Sequence, residues 1–208
     1  MNAGRMRWRR ERGGHRGFTL VELSVVLVIM GLVGYLFYGS IFTYIKTEKM
    51  NQGREQLEKI VAQLDGVAVA SGVLPAPTGA GSDRLPTNYA YSTDPWRNQV
   101  RYWLAPELTG SKHVNPVAST TLSVEEYSAL SATGTLAGGT LDRTITNVAF
   151  VLANLGPDQN QQVDASAFPT IRVLVKGSGD ISTATASARY DDQAMYQTLN
   201  ELKSVILQ

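Results

Sequence analysis

Between Leu23 and Ile45 the chain runs for 23 residues, LSVVLVIMGLVGYLFYGSIFTYI, without a charged side chain. No other feature narrows the folding options as far. A helix rises about 1.5 Å per residue, so about 20 residues cross a hydrocarbon core of roughly 30 Å. Lipid offers the backbone no hydrogen bonds, so a single span must satisfy its own peptide groups as a helix. Val25, Val26, Val28 and Ile29 would weaken a helix in water, but in lipid the solvent overrides that preference. A cleaved secretory signal has an apolar region of about 7–15 residues and a small-x-small cleavage site. This run is longer and ends at Phe42-Thr43-Tyr44-Ile45-Lys46, a poor cleavage site. The helix is therefore expected to stay on the protein.

Charge is distributed unevenly around this run. Residues 1–17 carry six Arg (Arg5, Arg7, Arg9, Arg10, Arg12, Arg16) against Glu11, a local net of +5. The remaining 191 residues hold 13 basic and 17 acidic groups, a net of −4. The positive-inside bias places the leader in the cytoplasm and the bulk of the chain outside. A mature chain of net −4 without a clustered basic patch argues against nucleic acid as a partner. There is no Cys, which removes disulfides and Cys-ligated metals. With only His15 and His113, acid–base chemistry near neutral pH has few candidates. Ser111-Lys112-His113 is the one cluster with a nucleophile and a base, but adjacent residues seldom converge on a substrate, and no enzyme is expected.

Residues 16–23 read Arg-Gly-Phe-Thr-Leu-Val-Glu-Leu. This octet resembles the leader junction of type IV prepilins and type II secretion pseudopilins. In that family a basic leader ends in Gly, Phe follows, and Glu stands four residues further on. The resemblance implies cleavage by a prepilin peptidase between Gly17 and Phe18 and N-methylation of Phe18. It implies that Glu22 pairs with the terminal amine of a neighbouring subunit and sets the stagger of a filament. An acid in a membrane helix is costly, which fits a functional Glu22. Gly17 has no side chain to obstruct a peptidase.

After Ile45 the pattern becomes amphipathic. Leu57, Ile60, Val61, Leu64, Val67 and Ala68 recur at helical spacing, and Glu55 and Lys59 form an i,i+4 pair. The helix is expected to continue over 46–74, with Gly53 and Gly66–Gly72 as soft spots and Pro75-Ala-Pro77 as its end. Residues 75–208 form the globular part. Strands are expected at Val100–Leu104, Asn147–Ala153 and Thr170–Val175, a variable Ser/Thr/Gly-rich loop at about 109–140 with a short helix at Val124–Leu130, and a last helix over Asp192–Leu207. The expected class is α+β and pilin-like: a long N-terminal helix packed on a small antiparallel sheet. Its divisions are a leader (1–17), an assembly helix (18–45), an amphipathic continuation (46–74) and a periplasmic domain (75–208).

Three further patterns carry the resemblance, which is closest to the major pseudopilins. Asp94-Pro95-Trp96-Arg97-Asn98 with Tyr102 resembles the family's Asp-Pro-Trp-Gly turn, with Arg97 where the family has Gly. Leu155-Gly156-Pro157-Asp158 and Asp191-Asp192 resemble its acidic loops, which implies calcium held by Leu155, Asp158, Asp164, Asp191 and Asp192. Calcium takes six to eight oxygen ligands, so the chemistry is reasonable. Gln159 departs from the family's Gly, and a polar turn at Asp158 with an N-cap at Asp191 or Asp192 is the other reading. For Trp96, Tyr102 and Trp103 core packing is expected.

The resemblance implies a structural subunit of a type II secretion pseudopilus or a type IV pilus, in the inner membrane of a bacterium. Its implied partners are further copies, membrane lipid, prepilin peptidase, an inner-membrane assembly platform and minor pilins. The other functional class is a minor, tip-located subunit that binds substrates, surfaces or DNA.

Overall fold

A computed structural model describes residues 19–79, 81–110, 112–131, 135–157, 161–174 and 192–207. The longest element is helix α1, Leu20–Ser71, of 52 residues. The chain divides into two units, Met1–Ile45 and Lys46–Gln208, and the division falls inside α1.

In the first unit every described residue, Thr19 to Ile45, is exposed. Its polar side chains are satisfied within the helix: Ser24 Oγ donates to the Val21 carbonyl at 2.7 Å and Thr43 Oγ1 to that of Gly39 at 3.0 Å. Such back-bonding is how hydroxyls enter lipid without an unmet donor. Tyr38 and Phe42 meet one turn apart, with ring centroids 4.5 Å apart and ring planes tilted by 52°.

In the second unit α1 has a buried stripe, Gly53, Leu57, Ile60, Leu64 and Ala68, at spacings of three and four. Leu57, Ile60, Leu64 and Ala68 join one core with residues such as Tyr102, Phe150, Leu152, Leu199 and Leu202. The helix passes through Gly66 and stops at Ser71, where Gly72 takes φ +71° and donates its N–H to the Ala68 carbonyl. A glycine in the left-handed region just past the last turn is a preferred way to end a helix.

The strands form two three-stranded sheets. In the first, β4 (Val148–Asn154) lies between β1 (Arg101–Leu104) and β6 (Gln193–Thr198), all antiparallel. All seven residues of β4 are buried, so both its faces are covered. In the second, β2 (Ser123–Ala129) lies between β3 (Thr140–Ile145) and β5 (Thr170–Leu174), antiparallel to β3 and parallel to β5. The α+β class stands as expected, with two sheets where one was expected and one parallel pairing. The strands expected at 100–104, 147–153 and 170–175 correspond to β1, β4 and β5.

Two expectations are corrected. Val124–Leu130 is strand β2, not a helix, and it divides the expected loop at 109–140. The expected final helix over Asp192–Leu207 is β6 followed by the shorter α2, Leu199–Ile206. Thr198 caps α2 in a capping box with Glu201, so the cap is not supplied by Asp191 or Asp192.

Candidate functional site

The first described residues form a site at the start of α1. Glu22 N–H donates to Thr19 Oγ1 at 3.2 Å, and Thr19 N–H donates to Glu22 Oε2 at 3.4 Å. This reciprocal pair is a capping box: it satisfies two of the donors that a helix N-terminus leaves open. A carboxylate in the first turn also meets the positive end of the helix dipole. Glu22 thus has partners within its own chain, and a partner amine from another copy would compete with that cap. The signal was in the sequence, since Thr-x-x-Glu opening an apolar run is the capping-box pattern. Gly17 and Phe18 lie outside the described residues.

Beyond this cap, one helix among the described residues is long and apolar enough to cross a membrane. Val21, Leu27, Ile29, Leu36 and Phe42 are all exposed on it. A soluble chain does not leave a surface of this size bare, and such patches mark contact with lipid or with other chains.

In the globular unit a second group of residues holds the lower part of α1. Asn154, wholly buried at the end of β4, donates its side-chain amide to the Gly53 carbonyl at 2.9 Å. Its cross-strand neighbour Gln193 donates to the Met50 carbonyl at 2.8 Å. A Cβ on Gly53 would lie 2.9 Å from Gln193 Oε1 and 3.1 Å from Asn154 Nδ2. Gly53 is therefore a docking position and not the soft spot expected from its flexibility. No sequence signal marks this clamp, because its parts are more than 100 residues apart.

The Asp94 turn is closely built. Asp94 Oδ1 accepts from the N–H groups of Trp96 (2.9 Å) and Asn98 (2.7 Å), and Oδ2 from the Asn98 amide (3.1 Å). Burial pushes the Asp94 carboxyl up, against hydrogen bonds from Asn98, Trp96 and Leu155 that favour its charge. The Asn98 amide also donates to the Gly156 carbonyl at 3.1 Å, joining this turn to the 155–157 loop. Arg97 has φ +71°. That conformation suits glycine, which explains why the resembling turn has Gly there. Tyr102 and Trp103 are buried in the core and Trp96 is half-buried.

The residues expected to hold calcium are divided. Asp158 and Asp191 lie outside the described residues. Leu155 is buried just past the end of β4. Asp164 pairs with Arg172 at 3.0 Å and accepts the Ser166 N–H at 2.9 Å. Burial acts to raise the Asp164 carboxyl, but the bonds from Ser166 and Arg172 outweigh it and hold it below its usual value. Asp192 Oδ2 accepts the N–H groups of Gln162 (2.6 Å) and Val163 (2.8 Å). Among the described residues no three acidic or histidine side chains gather as a metal-ligand group. Asp164, spent on a guanidinium, does not fit as a ligand.

The site is thus an exposed apolar helix of membrane-spanning length, capped at its start by the one acid in that stretch. A family model of the prokaryotic N-terminal methylation motif matches residues 12–34. Over those residues the chain carries the N-terminal methylation signature found in type IV pilins and pseudopilins. No curated protein and no solved structure matches the chain.

Proposed function

We propose that this chain is a structural subunit of a type II secretion pseudopilus, cleaved between Gly17 and Phe18, methylated on Phe18 and polymerised through residues 18–45. The observation that carries the reading is the bare apolar surface from Leu20 to Ile45, interrupted by the single acid Glu22. A charge there is costly unless it is paired, and a terminal amine of the next copy would pair it. The Asp94 turn, with its glycine-type conformation at position 97, favours the secretion type over the adhesive pilus. The globular unit stands in the periplasm and the leader in the cytoplasm, as the arginines of residues 1–17 require.

The test is coexpression with a prepilin peptidase and an assembly platform. Mass spectrometry is expected to find a chain beginning at Phe18 with one added methyl group, and an uncut chain for Gly17→Leu. Glu22→Val should insert and be cleaved, yet give no filaments. Normal filaments from that variant would sink the pairing.

Calcium belongs to the same proposal, held by Leu155, Asp158, Asp191 and Asp192, with Asp164 left to Arg172. Adding calcium should raise the melting temperature of the protein, and Asp158→Ala should abolish the rise. A calcium-insensitive wild type removes the ion from the proposal.

A further inference from the structure

The lower half of α1 meets β6 at two places. Side chains alternate along a strand, so Gln193, Met195 and Gln197 share one face of β6. At one end of that face Gln193 bonds to the Met50 carbonyl. At the other end the Gln197 side chain meets the carboxyl of Asp65, about four turns further along the helix. Gln197 is only 8% exposed, and Asp65 is half-buried.

Two oxygens at this second meeting lack a donor. Asp65 Oδ1 and Gln197 Oε1 are both buried, and neither accepts a hydrogen bond among the described residues. An ionised carboxylate can only accept, as can an amide oxygen, and a buried acceptor left unmet is costly. One proton on Asp65 changes the balance. Its O–H can donate to the Gln197 oxygen while the Gln197 amide donates to the other carboxyl oxygen. No charge of the surrounding elements takes the place of that proton. One turn away on α1 stand Val61, Ala62, Ala68 and Val69, and β4 has no charged residue. Tyr196, with its partner Glu126, lies on the other face of β6. The charged groups of α2 are Glu201, held in its own capping box, and Lys203, bonded to the Val117 carbonyl. Burial acts first and raises the Asp65 carboxyl, and the bond from Gln197 only partly offsets it.

We propose that Asp65 and Gln197 form a proton-closed latch between α1 and β6, made when the carboxyl is protonated and opened when it ionises, so that acid tightens the last turns of α1 on the globular unit. A carboxyl raised in the folded state holds its proton more tightly there than in the unfolded chain. The contribution of the latch is therefore complete below the ordinary value of 3.8 and is lost as pH rises through the folded value. Asp164 behaves in the reverse sense, because its bonds favour the charged form. Leu64 and Ala68, on either side of Asp65, are fully buried at the same interface, so opening the latch loosens the end of the helix without releasing it. The latch does not depend on the filament reading.

The experiment uses the full chain in detergent micelles, with ¹³C in the Asp carboxyl and Gln carboxamide carbons, followed by NMR from neutral pH down to about 3. Spectra of Asp65→Asn and Gln197→Met assign the two signals. The Asp65 carboxyl should titrate with a midpoint above 3.8, and the Gln197 carboxamide carbon should move with the same midpoint. Asp65→Asn keeps the size of the side chain and supplies a permanent donor. At neutral pH it should raise the melting temperature by about 2–4 °C, the shift expected for one added hydrogen bond. That advantage should vanish below 3.8, where the parent closes its own latch. A water bridging the two oxygens would leave Asp65 ionised, with a midpoint at or below 3.8. That result, a Gln197 signal that does not follow Asp65, or an Asp65→Asn protein no more stable than the parent at neutral pH would overturn the latch.

Discussion

Helix α1 is one element in two solvents. From Leu20 to Ile45 every residue is exposed, while from Lys46 to Ser71 a stripe of five is buried. Gly53 stands apart from the glycines of the upper half. Gly31, Gly34 and Gly39 have nothing within 4 Å of where a Cβ would sit, whereas Gly53 is crowded by Gln193 and Asn154. The upper half keeps its backbone bonded and its surface apolar, and on the proposed reading takes its contacts from lipid and other copies. The lower half is a component of a folded core. A continuous helix can therefore serve two purposes without a break in its backbone, because each half is specified by a different side-chain pattern.

The largest effect that separates the halves is a cavity. Leu64→Ala removes a fully buried side chain and should destabilise the globular unit by about 2–5 kcal/mol. Leu27→Ala, on the exposed half, should leave that unit's thermal melt unchanged. Equal shifts for the two variants would show that the halves do not differ in the way described. Next in size is a glycine pair. Gly53→Leu cannot fit without displacing the amides of Asn154 and Gln193, and should cost about 1–3 kcal/mol through overpacking and lost bonds. Gly34→Leu should have no effect on the melt of the globular unit. A Gly53→Leu protein as stable as the parent would remove the clamp from the account.

Both halves of α1 were legible in the sequence. The apolar run and its octet are local, and the physics that reads them, length against lipid thickness and charge against dielectric, needs no tertiary information. The stripe from Leu57 to Ala68 is likewise written in its spacing. The error at Val124–Leu130 has the opposite cause. Glu125 and Glu126 favour a helix locally, but β2 holds them through residues distant in sequence: Arg172 meets Glu125 at 3.0 Å, and Tyr196 donates to Glu126 at 2.8 Å. Strand preference depends on such neighbours more than helix preference does. Met195 fell on the apparent face of the last helix only because it stands four residues before Leu199. Its backbone in fact pairs with Leu152 across the sheet. At Arg97 the resemblance to a Gly-bearing turn was informative: the conformation is the one glycine favours, and the arginine accepts it.

The smallest expected effect compares two acids. Glu22 is bonded inside its own helix, whereas Glu126 is bonded by two other strands, to Arg143 of β3 and Tyr196 of β6. Burial acts to raise the Glu126 carboxyl. The hydrogen bonds from Arg143 and Tyr196, with the charge of Arg143, outweigh it and hold the group below its ordinary value of 4.5. Burial first, then the hydrogen bond to Glu126 and its charge, push the Tyr196 hydroxyl up to about 12, with Arg143 acting against them. A carboxyl lowered in the folded state binds protons less readily there than in the unfolded chain. Its stabilisation is complete above about 4.5 and fades as pH falls through the folded value. The melting temperature of the globular unit should therefore drop on acidification below that point, and Glu126→Gln should make this acid limb shallower. Glu22→Gln, which changes an acid bonded among the described residues only to Thr19 of its own cap, should leave the limb as it was. If Glu22→Gln flattened the acid limb and Glu126→Gln did not, the assignment of one acid to the core and the other to assembly would be reversed.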